Sequence, residues 1–160
     1  MTVPAPMPWS AADPVRARGA AAVAMIAALP PVERRAVLGL RLWLAGAAGR
    51  EALVRELGFG LDPDDTAEAA HALQCLLSCL LGGARRPLCR RAAPCAFVGA
   101  DEMVVALGIA AAASGDADDA VALFATLVRL PQARAAVQDA ERLGLALARA
   151  GGVAPGTGFT

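Results

Sequence analysis

Lysine, asparagine and tyrosine are missing from this 160-residue chain, and histidine occurs once. Without lysine there is no Schiff-base amine, no P-loop lysine and no protein-kinase lysine. Isoleucine is rare as well, present only as Ile26 and Ile109. The residues that are short share AT-rich codons, so the bias points to a GC-rich, bacterial genome. Arginine supplies every basic side chain apart from that histidine, and its choice over lysine carries no information about bidentate recognition.

Charge of one sign is lacking too, with 15 basic residues against 15 acidic ones. A net charge of zero argues against a general nucleic-acid-binding face or a polybasic membrane anchor. Long apolar runs are missing. The longest charge-free stretches, Gly19 to Val32, His71 to Ala84 and Met103 to Gly115, all fall short of the ~18–20 residues of a spanning helix. Arg16 and Arg18 precede one of these runs in the manner of a signal peptide. That run ends at Pro30-Pro31 and Glu33-Arg34-Arg35 rather than at a small-residue cleavage site. The expectation is a cytoplasmic protein with reduced thiols.

Catalytic signatures are scarce. None of the three serines, Ser10, Ser78 and Ser114, lies in a G-x-S-x-G elbow. Gly58-Phe59-Gly60 lacks the further glycine and the strand of a dinucleotide loop. No enzymatic activity is expected.

What remains is dominated by alanine, leucine and valine. Alanine and leucine are strong helix formers, while the aromatic residues favoured by strands make up 4% of the chain. The expected fold is all-α, a single compact bundle of six or seven short-to-medium helices over residues 13–150. Residues 1–12 read as a disordered proline-containing arm, and residues 151–160 as a flexible glycine-rich tail. Asp13-Pro14 reads as a helix start, and that helix stops at Pro30. A second helix begins near Pro31, and a short one runs from Arg50 to Leu57 before Gly58. Asp62-Pro63-Asp64-Asp65 is the strongest start signal, opening a helix that reaches Gly82-Gly83. An arginine-rich loop follows. Three further helices cover about 101–113, 117–130 and 131–150, with short links that argue for antiparallel neighbours.

All four cysteines and the single histidine fall between His71 and Cys95. On a helix, Leu73, Leu76, Leu77, Leu80 and Leu81 gather on one side, and His71, Cys75, Ser78 and Cys79 on the other. The leucines are core. Residues at i and i+4 are close enough to share a metal, so His71 with Cys75, or Cys75 with Cys79, offers a ligand pair. Cys89 and Cys95 in the loop would close a zinc or iron site. The spacing C-x3-C-x9-C-x5-C matches no zinc ribbon, zinc knuckle or iron–sulfur pattern. The leading expectation is that the cysteines pack as small apolar side chains and that no cofactor is needed. Metal binding and thiol redox sensing are the alternatives.

Arg85, Arg86, Arg90 and Arg91 form the one dense basic patch, without the interleaved aromatics of a stacking platform, so nucleic acid is not the expected partner. The acidic groups at Asp62/Asp64/Asp65/Glu68, Asp101/Glu102 and Asp116/Asp118/Asp119 read as helix-start charges. Trp43 reads as core. Trp9, in the arm, reads as a partner-binding residue, toward its own bundle or another chain. The leading function is a small cytosolic adaptor, accessory or regulatory protein acting through protein–protein interaction, with a homo-oligomer as one form. The alternative is a metal- or redox-responsive protein using His71, Cys75, Cys79, Cys89 and Cys95.

Overall fold

A computed structural model describes residues 18–152. The arm over residues 1–12 with Trp9, the Asp13-Pro14 start signal and the tail beyond Gly152 lie outside the described residues. Within them the fold is an all-α bundle of six helices with one small two-stranded sheet. The helices are α1 (Pro31–Leu44), α2 (Ala47–Gly58), α3 (Pro63–Gly83), α4 (Ala100–Ala113), α5 (Ala117–Ala125) and α6 (Leu130–Gly152).

The start signals act as their chemistry requires. Asp62 Oδ1 accepts a hydrogen bond from the Asp65 N–H at 2.8 Å, with Pro63 at the first helical position. Pro31 likewise stands at the first position of α1, which has no side-chain cap. Between α1 and α2 the chain turns at Gly46, whose φ of 105° lies in the left-handed region that glycine alone enters freely. Leu73, Leu76, Leu77 and Leu80 of α3 are buried, together with Ala69 and Ala72, and α3 packs on α6. Leu81 departs from the expected stripe: one turn from the helix end, it is exposed. α4, α5 and α6 pack on one another, and α1 covers α4. Alanine and glycine set the helix separations. A Cβ on Gly144 of α6 would sit 2.6 Å from Ala113 Cβ and 2.8 Å from the Ile109 carbonyl oxygen, so only glycine allows this approach.

The N-terminal expectation is corrected here. Arg18 and Gly19 are helical, but residues 20–30 are not the continuation of a helix. They form strand β1 (Ala22–Met25), a 3-10 turn (Ile26–Ala28) and a lead into α1. Strand β2 (Phe97–Gly99) pairs antiparallel with β1, matching Ala22 with Gly99, Ala24 with Val98 and Met25 with Phe97, with a bulge between Ala22 and Ala24. Local composition favours helix over Ala20–Met25. Pairing with a partner more than seventy residues away overrides it.

The expected core position of Trp43 is also adjusted. It lies half-buried at the edge of the core, with the Arg50 guanidinium 5.6 Å from its ring centroid.

Candidate functional site

Residues 84–96 join α3 to β2 without helix or paired strand, apart from an isolated bridge between Ala84 and Val128. A stretch of this length without its own ladder needs other partners for its backbone groups. They come from two consecutive carboxylates at the start of α4, from Arg41 of α1 and Arg86 of the loop itself, and from backbone groups of Ile26, Ala92 and Leu127.

Arg41, in α1, is fully buried. Its Nε donates to Glu102 Oε1 at 2.7 Å and its Nη2 to Glu102 Oε2 at 2.8 Å, a bidentate pair. Its remaining donors take backbone carbonyls: Nη1 reaches Cys95 O at 2.7 Å and Nη2 reaches Phe97 O at 2.6 Å. Glu102 accepts two further backbone bonds, from Arg91 N and Gly99 N, each at 2.9 Å. Asp101, also buried, takes a bidentate pair from Arg86, with both contacts at 2.7 Å, and the N–H of Cys89 at 2.8 Å. Arg91 Nη2 donates to Ala20 O at 2.7 Å, and Arg90 Nη2 to Leu44 O at 3.2 Å. Buried charge of this kind is tolerable only when each group is paired and its other polar atoms are bonded. Here they are.

The arginines expected as a basic patch therefore do not share one outward face. Arg85 is exposed, while Arg86, Arg90 and Arg91 are partly buried and bonded to carboxylate or backbone oxygens. Asp101 and Glu102, read from sequence as helix-start charges, hold the loop. Glu102 does bond the N–H of Gly99 ahead of α4, but its main partner is Arg41. One signal for this was present: Arg41 falls on the apolar stripe of α1, in line with Val37, Leu40 and Leu44.

The histidine–cysteine segment is divided among several environments. His71 Nε2 and Cys75 Sγ meet at 3.5 Å on the surface of α3. Cys79 instead donates to the Gln132 carbonyl of α6 at 3.3 Å. Burial raises the Cys79 pKa, with the Asp139 charge adding to the rise. Cys89 is buried beside Asp101. It borders an apolar cleft shared with Leu44, Leu81, Leu88 and Val105, whose free space of about 20 Å³ admits about one water. Cys95 lies in the loop, 3.8 Å from Arg91 Nη1. A backbone hydrogen bond from Phe97 holds its pKa below that of an ordinary thiol, assisted by the bond from Arg91 and the charges of Arg91 and Arg41. All four are free thiols. Among the described residues no three histidine, cysteine, aspartate or glutamate side chains are grouped to hold a metal ion.

The pinned loop delivers β2 to the surface. In the β1–β2 ribbon, Ala24 and Val98 turn inward, with Val98 fully buried, while Val23, Met25 and Phe97 are about half exposed. The cross-strand pair Met25–Phe97 and the bulged Val23 thus form a bare apolar face beside a buried ionic scaffold. Sequence reasoning missed this face because it read Val23 and Met25 as part of a helix. No helix of the described residues is long and apolar enough to cross a membrane.

No family model, no curated protein and no solved structure matches this chain.

Proposed function

We propose that this protein acts without catalysis of its own, as an adaptor or regulatory factor that binds another protein through the β1–β2 ribbon. The observation that carries the reading is the bare face of Val23, Met25 and Phe97 on a strand fixed by the Arg41–Glu102 pair. Apolar side chains grouped on a rigid strand edge fit a partner that adds an extended segment, with main-chain hydrogen bonds giving affinity and side chains giving choice. A second copy of the chain contributing that segment is the homo-oligomeric form of this reading. The test is a photo-crosslinking residue at position 97 in the producing cell. A discrete adduct to one other protein, lost in Met25→Asp, supports the reading. Labelling no different from that at an exposed control position such as Arg134 removes it.

A second reading, a thiol redox response, is favoured at one residue. Cys95 is partly exposed and is bonded by Arg91 and the Phe97 backbone, a setting that promotes thiolate character. Its attack on a hydroperoxide would transfer one oxygen to sulfur, giving a sulfenate and releasing an alcohol or water. Dimedone labelling after peroxide treatment tests it: labelling at Cys95, reduced in Arg91→Ala, is the supporting result, and equal labelling of all four thiols after unfolding alone is the opposing one. A zinc or iron site on His71, Cys75, Cys79, Cys89 and Cys95 would require these separated groups to move together. Elemental analysis of protein purified without chelator decides that proposal.

A further inference from the structure

β1 bonds to β2 along one edge, and among the described residues no other backbone group pairs with Ala22–Met25. Such an edge accepts a further extended segment. The chain carries a matching one close by, Val3-Pro4-Ala5-Pro6-Met7-Pro8-Trp9. Proline stands at every second position. Each proline fixes φ near −65° and restricts the residue before it to extended backbone, so covalent geometry alone biases the run toward a strand-like path. In an extended segment, successive residues direct their N–H and C=O groups to opposite edges and their side chains to opposite faces. The three missing N–H groups therefore fall on one edge. Val3, Ala5, Met7 and Trp9 keep full donors and acceptors on the other, and their apolar side chains share one face. An edge strand with its prolines turned outward is also a strand that accepts no further partner.

We propose that residues 3–9 add in cis to the free edge of β1 as a third, antiparallel strand, with Met7 and Trp9 lying over Val23, Met25 and Phe97. Twelve residues separate Trp9 from Ala22, more than the short connection that an antiparallel neighbour needs. The described chain enters at Arg18, immediately ahead of β1, so this segment is tethered next to the edge it fits. The proposal rests on reading the ribbon face as a docking surface, and it makes the chain's own arm the occupant that a partner must displace.

Full-length Trp43→Phe protein, in which Trp9 is the remaining indole, provides the test. The reference is a synthetic peptide of residues 1–17. The expected result is Trp9 emission blue-shifted from the peptide, several-fold less quenched by acrylamide and unchanged on dilution. The shift is lost in Met25→Asp and Phe97→Asp, both at exposed side chains, with far-UV circular dichroism unaltered. Ala5→Pro, which deletes an N–H on the bonding edge, also abolishes it, whereas Pro6→Ala does not. Peptide-like emission in the parent protein overturns the proposal while leaving the ribbon face open to a partner. A shift that dilutes away assigns the docking to a second copy and overturns the cis arrangement. A shift indifferent to Met25→Asp and Phe97→Asp places Trp9 elsewhere and overturns it too.

Discussion

The guanidinium of Arg41 and the carboxylate of Glu102 meet at 2.7 Å in the interior, joining α1 to the start of α4, with both side chains at 1% exposure or less. Around that pair are gathered the carbonyls of Cys95 and Phe97 and the amides of Arg91 and Gly99. The pair is thus the fixed point from which the loop and the ribbon are hung.

Removing one partner leaves the other charge buried and strips the loop of its bonds. Arg41→Ala and Glu102→Gln are each expected to lower stability by about 3–5 kcal/mol. Arg41→Lys does not restore it, because one ammonium cannot reproduce a planar fork serving a carboxylate and two carbonyls. Urea unfolding followed by circular dichroism measures this. Losses below about 1 kcal/mol would place the pair among weak, solvent-screened contacts.

Gly19 lies against the Asp101 carboxylate, so closely that an added Cβ would overlap Oδ2 of that side chain. Asp101 cannot yield without releasing Arg86 and the Cys89 amide. Gly19→Ala is expected to destabilise by about 1–3 kcal/mol. Gly82→Ala, in the last turn of α3 with open space at its Cβ, is expected to stabilise by up to about 0.5–1 kcal/mol. Thermal melts of the two variants should move in opposite directions.

The thiols separate by pH. Cys95 has a lowered pKa because a backbone bond from Phe97 and the Arg91 contact favour its thiolate. Cys79 has a raised pKa because burial disfavours the charge. As pH rises, alkylation of Cys95 should increase at lower pH than that of Cys79. Arg91→Ala should shift the Cys95 profile upward. The stability linkage follows the same signs: the Cys95 contribution is present above its unfolded pKa and lost as pH falls through the folded one. For Cys79 it is present below the unfolded pKa and lost as pH rises through the folded one. Mass-resolved alkylation across a pH series checks the order, and coincident profiles would contradict it.

Cys79 is bonded to α6 and Cys95 to the arginine loop, so neither depends on the other for its place. Cys75→Ser at the partly exposed face of α3 is expected to change stability by no more than about 0.5 kcal/mol. Chelator treatment should leave thiol reactivity unaltered. Protection of Cys75 and Cys95 together by added zinc would be the contrary result.

Sequence by itself marked the starts of α1 and α3, because their signals are local. A proline at the first turn, the Asp62 cap and leucines at helical spacing act within a few residues of where they stand. It also marked the thiol-rich segment and the arginine loop as the unusual part of the chain. Tertiary structure alone decided what those residues do. Asp101 and Glu102 look like ordinary helix-start carboxylates until Arg86 pairs with the first and Arg41, sixty-one positions before Glu102, pairs with the second. Ala22–Met25 look helical until Arg91 takes the carbonyl of Ala20, seventy-one positions away, and β2 offers a ladder. Strand pairing and buried ion pairs join groups remote in sequence, so no window along the chain contains both halves of either contact.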